Sequence, residues 1–285
     1  MGPHAGAVSD PRPLGVFDSG VGGLTVVAAL RRLVPAESIL YLGDTARLPY
    51  GTKSPETVAR YSRRNVDFLI DRGVKAVVIA CNTASAVAID ELSNEVPVWG
   101  VIGPGARAAI EVAGDGPIGV LATESTILSD AYGRAIRGLR GDSAPVISRP
   151  CPLFVPLVEE GWIDNDVAEA AALRYLTPVL DAGARTLVLG CTHYPMLRPL
   201  LARLAAELTG GEPVAFVDSA EAAAVEVLAR LQESGLGRVD PEPPGHRFCV
   251  TDHGDRFRRV AGPLLQGEVV GSSGDGALAL ELVEV

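Results

Sequence analysis

Seven short apolar runs recur along the chain, and none shows the alternation of apolar and polar residues that marks a half-exposed strand. Runs of this kind are typical of strands buried on both faces of a parallel sheet. A further strand is predicted near the carboxyl end. The predicted strands are Leu14–Phe17, Ile39–Leu42, Ala76–Ala80, Val98–Ile102, Ile118–Leu121, Thr186–Gly190, Val214–Val217 and Arg247–Thr251.

Helix signals lie between these runs. Ser54 is a suitable N-cap before Pro55, which occupies the first helical position, and Gly73 is placed to end that helix. Pro178 lies inside a second helical stretch, where proline can produce a kink. Segment 241–245 is rich in proline and is predicted to be a loop, and another helix is expected after the last strand. The alternation of strands and helices predicts a doubly wound α/β fold.

An internal repeat divides the chain. Residues 71–83 match residues 181–193 at the offset of 110 that separates Cys81 from Cys191, and residues 14–19 match residues 118–123 at an offset of 104. Two matches in the same order predict a duplication with two lobes of similar topology. The alternative is that buried α/β strands resemble one another by chance, and the aligned cysteines argue against it.

Composition and charge narrow the class of protein. The 285 residues are 47% hydrophobic and 21% charged, which is ordinary for globular proteins and excludes a disordered or fibrous chain. A net charge of −10 argues against nucleic acid or an anionic membrane as a partner, because both favour clustered positive charge. No apolar run has the length of a membrane span. Residues 1–13 lack the regions of a secretory signal and are expected to form a flexible tail.

Polar segments follow several of the predicted strands. Because the carboxyl ends of parallel strands carry the ligand site of such sheets, we expect these segments to meet. The segments are 18–23, 44–53, 81–83, 123–126 and 191–193. The glycine-rich segment fits neither a dinucleotide fingerprint nor a phosphate loop. Either Asp18 or Ser19 caps a helix there, or the segment binds a small anion or amine while Asp18 takes part in acid–base chemistry.

The four cysteines have no metal-binding or redox spacing, so their default interpretation is a buried, reduced thiol. Cys81 and Cys191 differ from Cys151 and Cys249, because each follows a strand of an aligned repeat and precedes a helix, a position that favours the thiolate. Two like groups on opposite sides of a pseudo-twofold axis suit a racemase. One base removes the α-proton from one face of an amino acid, and a conjugate acid returns a proton to the other face.

Other classes of cysteine enzyme fit less well. A thiol phosphatase would need an arginine soon after the cysteine, and residues 82–90 contain none. His193 is either a structural histidine or a group that polarises the nearby thiol, and Glu159 is either a solvated helix end or a carboxylate that orients His193.

The weakly acidic α-proton of an amino acid requires a device that stabilises the carbanion. Pyridoxal phosphate needs a Schiff-base lysine, and the only lysines of the chain are Lys53 and Lys75. The other route is a closed, dry cleft with neutral hydrogen-bond donors around the α-carboxylate. The candidate donors are Ser19, Asn82, Thr83 and Thr192.

Five segments, taken together, closely resemble the glutamate racemase family and occur in the order of that family. They are residues 18–23, 44–54, 80–85, 151–159 and 189–195. The resemblance implies a cytoplasmic enzyme, expected to be a homodimer, that interconverts L- and D-glutamate and supplies D-glutamate for bacterial peptidoglycan. It implies neither a cofactor nor a metal.

The resemblance also implies residue roles. Cys81 and Cys191 match the acid/base thiols, with Cys191 taking the proton of L-glutamate and Cys81 that of D-glutamate. Asp18 matches the group that assists the first thiol, and Glu159 and His193 match the pair that assists the second. The matching substrate-binding residues are Asp18, Ser19, Tyr50, Gly51, Asn82, Thr83, Thr192 and His193.

In that family the first domain contains both chain ends and the second is inserted into it. This predicts a first α/β domain of residues 14–103 plus 214–285 and a second of residues 104–213, two pseudo-symmetric doubly wound parallel-sheet domains with the active site in the cleft between them. Three alternatives stay open: a related two-thiol racemase for aspartate or another amino acid, a pyridoxal enzyme, and a non-catalytic glutamate-binding regulatory protein.

Overall fold

Two parallel sheets organise the part of the chain that the computed structural model describes, residues 9–92, 95–239, 244–252, 257, 261 and 280–285. The strands are β1 (Leu14–Asp18), β2 (Ile39–Gly43), β3 (Ala76–Ile79), β4 (Val98–Gly100), β5 (Ile118–Ala122), β6 (Val146–Pro150), β7 (Thr186–Gly190), β8 (Ala215–Asp218), β9 (His246–Val250) and β10 (Leu280–Leu282). The α-helices are α1 (Leu24–Leu33), α2 (Pro55–Asp71), α3 (Asn82–Val87), α4 (Ile102–Ala113), α5 (Glu124–Leu128), α6 (Ala131–Arg140), α7 (Phe154–Glu159), α8 (Asp166–Asp181), α9 (Arg198–Leu208) and α10 (Ser219–Ser234).

The two sheets repeat one strand order. The described strands of the first sheet run β10-β9-β2-β1-β3-β4 and those of the second run β6-β5-β7-β8, and every pairing is parallel. In this order β1 corresponds to β5 and β3 to β7, the same pairs that the internal repeat aligns. The predicted fold class, two pseudo-symmetric parallel-sheet α/β units, is confirmed.

The predicted strands are present with small differences in their bounds. The run at 98–102 is shorter as a strand, because β4 ends at Gly100 and α4 begins at Ile102. Two strands were not predicted. β6 is a half-exposed edge strand without a purely apolar run, and β10 has only three residues. Of the helix expected after β9, the two described residues, Phe257 and Ala261, are helical, and the rest lies outside the described residues, as does most of the loop at 241–245.

The helix signals act as predicted from local chemistry. The Ser54 hydroxyl accepts a hydrogen bond from the Thr57 N–H at 3.3 Å, and Pro55 begins α2. Gly73, with a φ of +77°, follows the end of that helix in the left-handed region that glycine enters without strain. Pro178 lies inside α8. Across the described residues, no helix combines the length and the apolar character that crossing a bilayer requires.

Each sheet is covered by helices on both faces, so apolar side chains are buried on both sides of the strands. α1 and α10 pack on one face of the first sheet, and α2 and α3 on the other. α7, α8 and α9 pack on one face of the second sheet, and α4 and α6 on the other. We call the first sheet with α1–α3 and α10 the first lobe, and the second sheet with α4–α9 the second lobe.

Strand pairing bears on the predicted division of the chain. β8 pairs with β7, so the second sheet extends past Val214, where the sequence predicted the return to the first domain. The division into residues 14–103 plus 214–285 and residues 104–213 stays a prediction. Because β8 belongs to the second sheet, the predicted return of the chain to the first domain should be moved to the start of α10, which contacts both α1 and α4.

The amino-terminal segment departs from the flexible tail predicted for residues 1–13. Residues 1–8 lie outside the described part of the chain. The backbone N–H of Lys75 donates to Pro13 O at 3.0 Å, and its Nζ donates to Asp10 O at 2.9 Å. The same buried ammonium forms an ion pair with Glu37. Residues 9–13 are therefore held against the first lobe, because the buried lysine uses their carbonyls as acceptors.

Candidate active site

Cys81 lies at the carboxyl end of β3 and is the N-cap residue of α3. Its thiol is buried and accepts a hydrogen bond from the Ala84 N–H at 3.5 Å, and its Sγ lies 3.6 Å from Ser19 Oγ. Burial and the nearby Asp18 carboxylate together raise the pKa of the Cys81 thiol to about 12, against the two hydrogen bonds that lower it. At neutral pH this group is a thiol, which makes it a proton donor.

Asp18, the last residue of β1, is fully buried beside Cys81. Its carboxylate accepts hydrogen bonds from the Gly20 N–H at 2.9 Å and from Thr192 Oγ1 of the second lobe at 3.3 Å. Burial raises the pKa of Asp18, and the His193 charge and these hydrogen bonds oppose the rise. Asp18 therefore links the lobes across the cleft and places a titratable carboxyl group next to the first thiol.

Cys191 follows β7 as Cys81 follows β3, but its surroundings differ. Its Sγ lies 3.9 Å from His193 Nδ1, and His193 Nε2 lies 3.2 Å from Glu159 Oε1 at the end of α7. All three side chains are buried. The sequence left open whether Glu159 and His193 are neighbours, and the structure brings them together in a thiol–imidazole–carboxylate series.

Opposing influences act on the His193 imidazole. Burial lowers its pKa, but the hydrogen bonds to Cys191 and Glu159 and the negative charges of Cys191 and Asp18 outweigh burial and raise the pKa to about 10. At neutral pH the ring is therefore an imidazolium, with Nε2–H donating to Glu159 and Nδ1–H directed at the sulfur. The ring therefore places a positive charge beside the Cys191 sulfur, where Cys81 has a carboxylate.

One cavity joins the two thiols. It is lined by Ser19, Tyr50, Gly51, Cys81, Asn82, Thr83, Glu159, Cys191, Thr192 and His193, together with Gly20, Leu48, Pro49, Thr123 and Val155. Its volume of about 20 Å³ exceeds only slightly that needed by one water molecule. All predicted site residues except Asp18 line it, and Asp18 lies directly behind Ser19. An amino acid can enter only if the lobes separate.

Glycines of the first lobe allow this close approach. A Cβ on Gly22 would lie 2.3 Å from Thr192 Oγ1 and 2.5 Å from His193 Nδ1. A Cβ on Gly51 would lie 2.6 Å from Thr123 Cβ. Neither position leaves room for a side chain while the cavity is closed.

The side chains of two predicted binding residues are already engaged within the protein. The Tyr50 hydroxyl donates to Asp44 and accepts from Asn65 Nδ2 at 3.0 Å. The Asn82 amide is bonded to Tyr132 and Ser219. These hydrogen bonds fix the two side chains to the surrounding scaffold.

Hydroxyl groups from both lobes meet above the first thiol. Thr83 Oγ1 lies 2.9 Å from Thr123 Oγ1 and 3.3 Å from Thr126 Oγ1, and the last two lie 2.9 Å apart. The sequence placed residues 123–126 at a strand end without assigning them a role. The structure joins them to Thr83 across the cleft.

Sequence reasoning missed Tyr132 and Ser219. Ser219 directly follows β8, so the rule about strand carboxyl ends would have found it. Tyr132 lies in α6 and carries no comparable signal. Cys151 and Cys249 are buried with apolar neighbours, outside the cavity. In the residues described, no group of three histidine, cysteine or acidic side chains is placed to hold a metal ion.

The chain matches a known protein family and known proteins in sequence. Residues 16–227 match the family model described as Asp/Glu/Hydantoin racemase. A glutamate racemase of Geobacter metallireducens is 48% identical over 260 residues, covering 90% of this chain and 94% of that protein.

Two solved structures have the same fold. Glutamate racemase of Francisella tularensis in complex with D-glutamate superposes with a TM-score of 0.85 at 38% identity, over 96% of this chain and 98% of that one. The Thermus thermophilus glutamate racemase in complex with beta-chloro-D-alanine gives 0.79 at 42% identity, over 97% and 98%.

Proposed function

The chain belongs to the Asp/Glu/hydantoin racemase family, and we propose that it interconverts L- and D-glutamate by a two-thiol acid/base mechanism that needs no cofactor. The racemisation of glutamate supplies D-glutamate for peptidoglycan synthesis. The observation that carries the mechanism is that two cysteines at equivalent strand ends of duplicated lobes line one closed cavity.

With L-glutamate in the cavity, the Cys191 thiolate takes the α-proton and becomes a thiol. The electron pair left on the α-carbon is spread into the α-carboxylate. The Cys81 thiol then gives its proton to the opposite face and becomes a thiolate. D-glutamate reacts by the reverse sequence, so the enzyme alternates between two protonation states.

The surroundings of each thiol support these starting states. Burial and Asp18 hold Cys81 as a thiol, and the His193 imidazolium, itself held by Glu159, places a cation beside Cys191. Cys81 therefore starts as the acid, and the proposal assigns the role of base for L-glutamate to Cys191. Asp18 is placed to assist Cys81 once that sulfur must act as the base.

Recognition of the substrate rests on neutral donors. Ser19 and Thr192 line the cavity with hydroxyl groups, and Thr83 adds a third. Tyr50, Gly51 and Asn82 also line the cavity, and Asp18 and His193 add charge. In a cavity this small, closure removes water from around the reacting carboxylate, which strengthens every hydrogen bond to it.

The two lysines bear on the pyridoxal alternative. Lys75 lies at the start of β3, at the opposite end of that strand from Cys81, and it is paired with Glu37. Lys53 does not line the cavity that holds the thiols. Neither ammonium group is placed beside the reacting carbon, which favours direct proton transfer.

The test is incubation of purified protein with L-glutamate in D₂O without added cofactor. Loss of optical rotation together with uptake of one α-deuterium in the D-glutamate formed is the expected result. L-aspartate serves as the second substrate. Faster racemisation of aspartate would replace the proposed substrate with the runner-up, and retention of rotation with both would refute the proposal in favour of a binding protein.

The remaining expectations concern the assembly. We propose a homodimer in the cytoplasm, on the resemblance that the sequence motifs carry, and light scattering of the purified chain measures its mass directly. We also propose that the two lobes open as domains around the cavity. The support is the contact of Gly22 and Gly51 with the second lobe, since both contacts must separate for an amino acid to enter.

A further inference from the structure

A hydrogen-bonded series lies behind the two thiols. The Tyr132 hydroxyl donates to Asn82 Oδ1 at 2.7 Å, Asn82 Nδ2 donates to Ser219 Oγ at 3.1 Å, and Ser219 Oγ donates to the Leu189 carbonyl at 3.1 Å. The three side chains are almost completely buried. Tyr132 and Ser219 do not line the cavity.

The series connects the two thiol loops. Asn82 directly follows Cys81 in the first lobe, and Leu189 precedes Cys191 by two residues in the second. The Tyr132 ring packs on the residue before Cys191, since a Cβ on Gly190 would lie 3.1 Å from Tyr132 Cε2. The loop of each thiol is therefore tied to the same hydrogen-bonded series, through Asn82 on one side and Leu189 on the other.

The series does not lie at the mouth of the cleft. Gly22 and Gly51 face the second lobe at the cavity, where the lobes must separate. The series lies on the far side of Asn82, where α6 and the first residue of α10 meet. When the mouth opens, this region can remain joined.

We propose that the Tyr132–Asn82–Ser219 series is a positioning device that sets the separation of the two thiols across the substrate. This inference rests on the proposed two-thiol racemisation. Tyr132 and Ser219 are positioning residues, because they act through Asn82 and Leu189 and touch neither the reacting atoms nor the cavity. Burial raises the pKa of Tyr132, so its hydroxyl keeps the proton that it donates to Asn82.

Loss of one member frees the Cys81 loop. Removing the tyrosine hydroxyl leaves Asn82 Oδ1 buried without its donor, an arrangement that favours movement of Asn82. Displacement of a reacting group by about 1 Å can lower a rate by about 100-fold. The step that suffers most is the second proton transfer, because the carbanion must find an acid that is no longer in place.

A misplaced second thiol has a recognisable chemical consequence. The carbanion formed from L-glutamate then survives until the Cys191 thiol returns a proton to the same face. In D₂O that thiol exchanges its proton for a deuteron when the cleft admits solvent. Deuterium consequently enters L-glutamate without inversion, whereas correct positioning places deuterium in the D-glutamate formed.

The experiment measures the ratio of deuterium uptake in recovered L-glutamate to racemisation, in D₂O, for the parent and for Tyr132→Phe, Ser219→Ala and Tyr175→Phe. Tyr175 is the matched control, a buried tyrosine of the second lobe whose hydroxyl accepts from the Leu153 N–H at 3.4 Å and not from a member of the series. Thermal melting of each variant reports on stability separately. A ratio of two rates does not depend on the fraction of protein that is folded.

The expected result is a rise of at least about threefold in that ratio for Tyr132→Phe and Ser219→Ala, with a lower kcat, and the parent ratio in Tyr175→Phe. If Tyr132→Phe and Ser219→Ala both gave the same ratio as the parent, the inference would be overturned, whatever happened to their kcat or melting temperature. Because Ser219→Ala removes only one hydroxyl, it keeps the test available if Tyr132→Phe folds poorly. Absence of racemisation in the parent would instead count against the proposed function.

Discussion

The two thiol sites occupy equivalent positions in duplicated lobes, yet their surroundings are chemically opposite. Cys81 lies beside a buried carboxylate, a hydroxyl and a backbone N–H. Cys191 lies beside an imidazolium that is held by a second carboxylate. The repeated backbone places the two sulfurs in equivalent positions, and the neighbouring side chains make their surroundings unlike.

This difference suits the proposed reaction because racemisation needs one acid and one base at any moment. Two identical sites give no preference for which sulfur holds the proton, whereas unlike neighbours distinguish the two. The shared cavity and the Thr192–Asp18 hydrogen bond then connect the sites into one unit.

The largest expected effect comes from removing either sulfur. Cys81→Ala and Cys191→Ala should each lower racemisation at least about a thousandfold in both directions, because each reaction direction uses both groups. Cys151→Ala and Cys249→Ala are matched controls with buried sulfurs outside the cavity and should retain activity. Measurable inversion by Cys81→Ala would refute the two-thiol mechanism, and equal losses in all four would make the cysteines structural.

Protonation of His193 should link stability to pH. The pKa of this ring is about 10 in the folded chain and about 6.5 in the unfolded chain, so its contribution is complete below pH 6.5 and is lost as the pH rises through 10. Relative to His193→Asn, the parent should lose on the order of 2 kcal/mol of unfolding free energy between pH 7 and pH 9. Urea unfolding of both proteins at each pH measures it.

The variant serves as the reference because other groups also titrate over that range. If the stability difference between the parent and His193→Asn is the same at pH 7 and pH 9, the ring is not held as an imidazolium. The thiolate assigned to Cys191 would then lack its cation.

Glu159 should matter through His193. Glu159→Gln removes the carboxylate that holds the imidazolium, and kcat/KM should fall by about tenfold or more, with the activity lost at a lower alkaline pH than in the parent. The neighbouring Glu160 is exposed and provides the control Glu160→Gln, which should match the parent. A pH–rate profile of the three proteins distinguishes a positioning role from a general loss of stability, which would lower the profile without shifting it.

The sequence predicts the course of the backbone better than it predicts the contacts of the side chains. The apolar runs and the repeat predicted the buried strands and the duplication, because strands covered on both faces leave a clear pattern. β6 was not predicted, because a half-exposed edge strand lacks a continuous apolar run. The rule that ligand sites lie at the carboxyl ends of parallel strands predicted that Cys81, Cys191, Asp18 and His193 would meet, because backbone topology alone brings strand ends together.

Contacts that depend on tertiary packing could not be predicted from the sequence. The engagement of the Asn82 amide by Tyr132 and Ser219 involves residues far apart in the chain. The same is true of residues 9–13, where a buried lysine recruits carbonyl acceptors from a segment predicted to be flexible. No local pattern reports on partners of this kind.

The smallest expected effect tests the asymmetry most directly. His193→Asn should slow proton transfer at Cys191, and Asp18→Asn should slow it at Cys81. Neither can change kcat/KM in one direction only, because the enantiomers have equal free energy in water and the ratio of the two values is fixed. What changes is which proton transfer limits the rate, and a primary isotope effect at the α-carbon measures it. With the Cys191 step slowed in His193→Asn, α-deuterated L-glutamate should show an isotope effect larger than the parent's by a factor of about two, and α-deuterated D-glutamate a smaller one, because abstraction by Cys81 no longer limits. Asp18→Asn should give the opposite pattern. Identical shifts in the two variants would show that His193 and Asp18 do not serve different thiols.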